Sequence, residues 1–279
     1  MLKYKLVVSD LDGTLLGNDG NVSAATKELI QSYQRQGGIF TVATGRMEDA
    51  VKPHLNLLNV AGPAILYNGA KIIDMDKNDI IFEAFLKYEV AKEALKLLQD
   101  YEWDVLLYQN GKIYIKEMTP GIEKHLKKED VECEVVGDLH DFLQLAPTKI
   151  LIIGDNGKFD FFSQDLQNRM GIKINFTQSE ETYLEILPEG ASKGAALKTL
   201  ADALKISIED VIAIGDHLND LSMIQVAGLG IAMENAHPQL KDNAGFITVS
   251  NEAEGVKEVL LRVLNDLDFS YNIPDADAI

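Results

Sequence analysis

Two aspartates one residue apart, Asp10 and Asp12, stand where the apolar run Leu6-Val7-Val8 gives way to a turn holding Gly13 and Thr14. That β-branched run reads as a buried parallel strand. A carboxylate at the end of such a strand needs a cation or hydrogen-bond donors, since an unpaired buried charge is costly. Ligands of open α/β sheets bind at the carboxyl ends of the strands. A calcium loop of the EF-hand type also begins Asp-x-Asp, but needs Gly at its sixth position and Glu at its twelfth. Leu15 and Asn21 hold those places, and a strand rather than a helix comes before. A polar turn capping a strand explains either aspartate, but not the whole Asp-Leu-Asp-Gly-Thr string. Three further polar clusters follow: Thr44-Gly45-Arg46, Lys193, and Asp216 with Asn219 and Asp220. Each has an ordinary reading as a cap, a solvated lysine or a turn. Lys193 sits at a helix start, where the macrodipole disfavours a cation and calls for an anionic partner, although most such lysines point into water.

The elements that must position these groups alternate. A helix capped by Ser23 runs through Leu29, Ile30 and Tyr33 to Gly37-Gly38. A second buried strand, 39–43, ends at Thr44, and a helix with Met47, Val51, Leu55 and Leu58 on one stripe follows. A third strand, 64–67, ends at Asn68-Gly69. Strand–helix alternation with short loops predicts a parallel, right-handed α/β sheet, doubly wound in the Rossmann manner. Segments 71–74 and 79–82 then read as a hairpin. From 83 to 185 hairpins intrude among helices near 90–98, 122–126 and 159–170, with Asn110-Gly111 as a strong two-residue turn signal. This stretch reads as an α+β domain inserted into a core made of 1–82 and 186–279. The core pattern resumes with a helix capped by Ser192, strands at 211–214, 229–232 and 246–249, and a last helix, 253–264. The polar tail from Asp266 reads as mobile or loosely docked.

In order and residue type the four clusters resemble the four motifs of the haloacid-dehalogenase superfamily of phosphohydrolases. Asp10-Leu-Asp12-Gly-Thr is the first, Thr44 with Gly45-Arg46 the second, Lys193 in Ala191-Ser-Lys-Gly the third, and Gly215-Asp216-His-Leu-Asn219-Asp220 the fourth. Asn68-Gly69-Ala70, Leu187-Pro188-x-Gly190, Asn235-Ala236, Asn251 and Gly255-Val256 resemble its Cof-type branch, in which a large α/β cap lies between the second and third motifs. The resemblance spans essentially the whole chain and implies a Mg²⁺-dependent phosphatase. In it the backbone carbonyl of Asp12 joins Asp10 and Asp216 at the metal.

The chemistry agrees. Phosphate monoesters hydrolyse so slowly that enzymes accelerate the reaction by up to about 10²¹. A nucleophile must approach an anion, and the charge on the transferring phosphoryl group must be neutralised. Asp10 is the expected nucleophile and Asp12 the expected acid and base. Asp216 joins Asp10 at Mg²⁺, with Asp220 acting through metal-bound water or by orienting Lys193. Lys193, the Thr44 hydroxyl, the Gly45 amide and Asn219 are assigned to phosphate, and Arg46 and Asn68 to the substrate or cap.

Across 279 residues the formal charge is −18, which argues against nucleic acid. A phosphoester must therefore be met by local cations. The one cysteine, Cys133, excludes an internal disulfide and fits a reducing compartment. No signal-peptide pattern or membrane-length apolar run stands out, so the expected setting is cytoplasmic. Oligomeric state leaves no sequence signal. The other readings are a phosphomutase using the same two aspartates, and a non-catalytic metabolite-binding protein, against which the intact Asp10 and Asp12 argue. Gly154-Asp155-Asn-Gly157 imitates the fourth motif without its Asn-Asp pair and reads as a turn. Gly228-Leu-Gly230 lacks the third glycine of a dinucleotide fingerprint. The histidines (54, 125, 140, 217 and 237) show no metal-ligand spacing, and His217 is left as a loop residue.

Overall fold

A computed structural model describes residues 2–269. The described residues form two compact units, one of 2–44, 52–82 and 192–269, the other of 45–51 and 83–191. In chain order the elements begin with β1 (Leu6–Ser9), α1 (Ala24–Arg35), β2 (Ile39–Val42), α2 (Glu48–Leu58), β3 (Pro63–Leu66), β4 (Lys71–Asp74) and β5 (Asp79–Glu83). The second unit carries α3 (Tyr88–Leu98), β6 (Asp104–Gln109), β7 (Lys112–Ile115), α4 (Pro120–Glu129), β8 (Glu134–Val135), α5 (Leu139–Phe142), β9 (Lys149–Ile153), α6 (Phe159–Met170), β10 (Asn175–Glu180) and β11 (Tyr183–Leu187). The first unit resumes with α7 (Lys193–Leu204), β12 (Val211–Gly215), α8 (Leu221–Val226), β13 (Leu229–Ala232), α9 (Pro238–Lys241), β14 (Phe246–Ile247) and α10 (Gly255–Leu264).

The main sheet of the first unit runs β14-β13-β12-β1-β2 with every pair parallel, so the fold is the expected doubly wound α/β core. Leu6, Val7 and Val8 of β1 are fully buried, as a central strand covered on both faces requires. Helices α1 and α10 pack together, as do α7 and α8. Ser23 caps α1 by accepting from the Thr26 amide at 3.0 Å. The third strand departs from expectation. It stops at Leu66, and β3 pairs antiparallel with β4 in a separate three-stranded sheet, β3-β4-β5. A single parallel bridge, Ala43 to Ile65, links it to the chain after β2. The cause is the turn after Leu66: Tyr67, Asn68 and Gly69 take φ values of 49°, 53° and 95° and reverse the chain into β4.

The second unit is a six-stranded sheet, β10-β11-β9-β6-β7-β8, antiparallel but for the β7–β8 pair. Leu107, Ile150, Ile152 and Ile186 of the sheet pack with Leu95 and Leu98 of α3 and with Phe162 and Leu166 of α6. Asn110 and Gly111 take φ of 54° and 70°, the left-handed pair that a two-residue hairpin turn demands. Asn175 ties the end of the unit by donating to the carbonyls of Pro188 and Ala191 at 2.8 and 2.7 Å. Lys149, buried, pairs with buried Glu185 at 2.8 Å and donates to the Gly45 carbonyl at 2.9 Å, holding segment 45–51 in this unit.

At the far end of the chain, residues 266–269 are docked rather than loose. Arg262 is fully buried, pairs with Glu258 at 2.8 Å and donates to the Asp268 carbonyl at 2.5 Å. Phe269 meets Phe246 edge-on at 5.3 Å and Tyr4 at 6.3 Å. The rest of the tail, 270–279, lies outside the described residues.

Candidate active site

Strands β1 and β12 are neighbours, and the winding direction of the sheet reverses between them, where open α/β sheets bind ligands. Asp10 leaves β1 buried, its amide donating to the Ile214 carbonyl at 2.9 Å. Gly13 has φ +77°, and a Cβ there would stand 2.5 Å from Asp216 Oδ2. Only glycine lets this turn close onto that carboxylate. The next residue, Thr14, donates its hydroxyl to Asp216 Oδ1 at 2.7 Å.

Lys193 is the first residue of α7 because Ser192 caps the helix, accepting from the Ala195 amide at 3.1 Å. Its side chain is fully buried. Nζ donates to Asp10 Oδ1 at 2.6 Å and Asp220 Oδ1 at 2.5 Å, the anionic partners that a cation at a helix start requires. Asp220 Oδ2 accepts from the amides of Asp216 and His217 at 2.9 and 3.1 Å, so both oxygens of Asp220 are engaged. The turn Asn68-Gly69 closes onto this helix start: a Cβ at Gly69 would lie 2.2 Å from the Ser192 carbonyl.

Asp10, Asp216 and Asp220 each present an oxygen within 4.8 Å of the others. Three carboxylates face one ammonium, which leaves surplus negative charge. Burial raises the Asp10 carboxyl well above the usual range; Lys193 opposes this, and Asp220, Asp216 and Asp12 reinforce it. Burial, aided by Asp220, pushes Asp216 up to about 7 against the Thr14 hydrogen bond and Lys193. For Lys193 burial favours the neutral amine, but Asp10 and Asp220 outweigh it and hold the ammonium above its ordinary range. A surplus of buried anionic oxygens, with no nitrogen or sulfur donor among the three, fits a hard divalent cation such as Mg²⁺.

A second chain of contacts joins the remaining loops. Asn219 Nδ2 donates to Asn68 Oδ1 at 3.1 Å, and the Asn68 amide donates to the Thr44 carbonyl at 2.9 Å. Thr44, Asn68 and Asn219 are thus brought together. Asp12 sits half-buried in a bridge with Leu16, near enough for its charge to act on Asp10 and Asp216. Gly45 and Arg46 group with the second unit. His217 serves the loop through its amide, and Asp155 accepts from the Gly157 amide at 3.0 Å as a turn residue. Sequence reasoning missed Ser222, whose hydroxyl accepts from the Gly194 amide at 3.0 Å, because nothing local marks that serine.

Residues 7–260 match the haloacid dehalogenase-like hydrolase family. The 5-amino-6-(5-phospho-D-ribitylamino)uracil phosphatase YwtE of Bacillus subtilis is 33% identical over 297 residues, covering 94% of this chain and 98% of that protein. The HMP-PP phosphatase of Yersinia enterocolitica is 28% identical over 271 residues, covering 96% and 98%. A haloacid dehalogenase-like hydrolase from Bacteroides thetaiotaomicron has a solved structure that is 33% identical, with a TM-score of 0.84 over 93% of this chain and 99% of that one. The chain belongs to the haloacid dehalogenase-like hydrolase family, and within it is a phosphatase. Among the described residues no helix is long and apolar enough to cross a membrane.

Proposed function

We propose that this chain is a Mg²⁺-dependent phosphohydrolase of small phosphorylated metabolites, working in the cytoplasm through an aspartyl-phosphate on Asp10. The observation that carries this reading is the buried Lys193 bridging Asp10 and Asp220 beside Asp216, a charged cluster with anionic surplus at a strand-end crevice. The names of the relatives, phosphatases of small phosphorylated compounds, agree with it. Asp10, Asp216 and the Asp12 carbonyl hold Mg²⁺, with Asp220 engaged in orienting Lys193. When bound, the cation neutralises phosphate charge.

A carboxylate oxygen of Asp10 forms a bond to phosphorus as the bond from phosphorus to the ester oxygen breaks. Asp12 gives its proton to the departing alkoxide. It then takes a proton from the water that attacks the aspartyl-phosphate, freeing Asp10 and inorganic phosphate. Lys193 neutralises phosphoryl oxygens, and Thr44, the Gly45 amide and Asn219 donate neutral hydrogen bonds to them. Residues 83–185 act as the cap, with Arg46 and Asn68 directed to the substrate or cap.

The test is turnover of an aryl phosphate and of a panel of phosphorylated metabolites, with Asp10→Asn alongside. Wild type is expected to release inorganic phosphate and to carry acid-stable label after quenching with radiolabelled substrate. Asp10→Asn is expected to do neither while keeping its circular dichroism. Isomerised sugar phosphate without free phosphate would instead make the protein a mutase, and substantial turnover by Asp10→Asn would refute the covalent route.

A further inference from the structure

Segment 233–237, between β13 and α9, touches both loops that carry the carboxylates. The Met233 amide donates to the Gly215 carbonyl at 3.0 Å and the His237 amide to the Asp216 carbonyl at 2.8 Å, so the segment's backbone is fixed to the Asp216 loop. Between these anchors Asn235 reaches the other way. Its Nδ2 donates to the Gly13 carbonyl at 2.8 Å, in the turn that follows Asp12. Its Oδ1 accepts from the Asn251 amide at 3.0 Å, and Asn251 Nδ2 donates to the Leu16 carbonyl at 3.0 Å. The two asparagines therefore grip the turn at both ends, residues 13 and 16.

Gly13 is also where that turn lies against the Asp216 carboxylate, and Thr14 is hydrogen-bonded to it. An amide side chain suits the post. One end donates to a carbonyl while the other accepts from an amide, a pairing that neither aspartate nor a hydroxyl reproduces in full. The backbone anchors fix where Asn235 starts, and the Asn251 bond fixes which way its amide faces.

We infer that Asn235 is a positioning residue that sets the separation between the Asp10–Asp12 turn and Asp216, and thereby the affinity for Mg²⁺. Asn251 supports it by orienting its amide and holding Leu16. The inference rests on the proposed metal site. It assigns to these two residues a task distinct from phosphate or substrate contact. Groups that orient metal ligands commonly govern affinity by about tenfold or more.

The experiment is calorimetric titration of the metal-free protein with MgCl₂, beside kinetics on an aryl phosphate across Mg²⁺ concentrations. Wild type, Asn235→Ala, Asn251→Ala and Asp216→Asn are compared, with thermal melts of each. Asn235→Ala is expected to bind Mg²⁺ about tenfold more weakly and to need correspondingly more for half-maximal rate, with KM at saturating Mg²⁺ little changed. Asn251→Ala should shift affinity in the same direction by less. Unchanged Mg²⁺ affinity in a folded Asn235→Ala, whatever its melting temperature, overturns the inference. Should that variant not fold, Asn235→Ser, which keeps a short polar side chain, is read by the same criterion. Asp216→Asn separates the two levels: if it binds Mg²⁺ as wild type does, the metal site itself is misassigned and the inference falls with it. If it loses Mg²⁺ while Asn235→Ala does not, only the positioning role is wrong.

Discussion

Lys193 and Asp220 meet at 2.5 Å with neither side chain reaching solvent. The ammonium also serves Asp10, and the other Asp220 oxygen serves two amides of the Asp216 loop. One carboxylate thus fixes a cation and the Asp216 loop together. In Asp220→Asn an amide must turn a donor toward either Lys193 or those amides. Breaking a buried pair in this way costs about 3–5 kcal/mol. Urea unfolding should show a loss of that size, and turnover should fall by about two orders of magnitude or more. A variant unfolding and turning over like wild type would remove the organising role given to Asp220.

Asp216→Asn should act in the opposite direction on the metal-free protein. Asp216 titrates at about 7 instead of near 3.8, so ionising it in the fold is unfavourable. A raised folded-state pKa contributes stability below the unfolded value that is lost as pH rises through the folded one. Wild type without metal should therefore weaken between about pH 4 and about pH 7, and Asp216→Asn should show a smaller decline, with Asp10, whose carboxyl burial also raises, keeping its own share. With Asp216 as a proposed ligand, Mg²⁺ would require the ionised group, so binding should release a proton below about pH 7, and affinity should climb with pH and then level. Thermal melts with and without MgCl₂ at about pH 5 and about pH 8 check this: the stabilisation by metal should be larger at the higher pH. An equal shift at both would count against Asp216 as a ligand.

Leaving-group dependence tests Asp12. An aryl phosphate departs with little help, whereas an alkoxide needs a proton. Asp12→Asn should lose about 10²–10⁴ on alkyl phosphates and markedly less on formation of the phospho-enzyme from an activated aryl ester. Rapid-quench measurement of that first step gives the comparison. Equal losses on both esters would take the acid role from Asp12.

Specificity is expected to follow the insert, residues 83–185. Replacing them by the matching segment of a relative should change which metabolites are preferred, while the need for Mg²⁺ and Asp10 persists. Retention of the original ranking of substrates would move specificity to the loops around Arg46 and Asn68.

What the sequence made legible was local. Ser23, Ser192 and the Asn110-Gly111 pair announce their structures within a few residues, because caps and two-residue turns are settled by neighbours. The cluster of Asp10, Lys193, Asp216 and Asp220 was legible through residue types at successive strand and helix ends. The fate of β3 was not: its apolar run suits a buried parallel strand equally well. Its removal to another sheet depends on Tyr67, a bulky residue in the left-handed region, which local preference opposes. Ser222 acts through a hydrogen bond to a residue far along the chain, which leaves no periodicity to read, and Asn235 and Asn251, which stood out in the sequence only as part of the Cof-type resemblance, have distant partners that the fold alone supplies.

The docking of Asp268 and Phe269 bears on where the gene can be cut. A chain ended after Leu264 would retain every residue assigned to catalysis. It would nonetheless strip the carbonyl partner from the Arg262 guanidinium and uncover the rings of Tyr4 and Phe246. Tyr4 leads directly into β1, whose end bears Asp10. A boundary set by motif content alone would thus loosen the strand that carries Asp10, and such a product should precipitate on expression, whereas one ending after Phe269 should stay in solution.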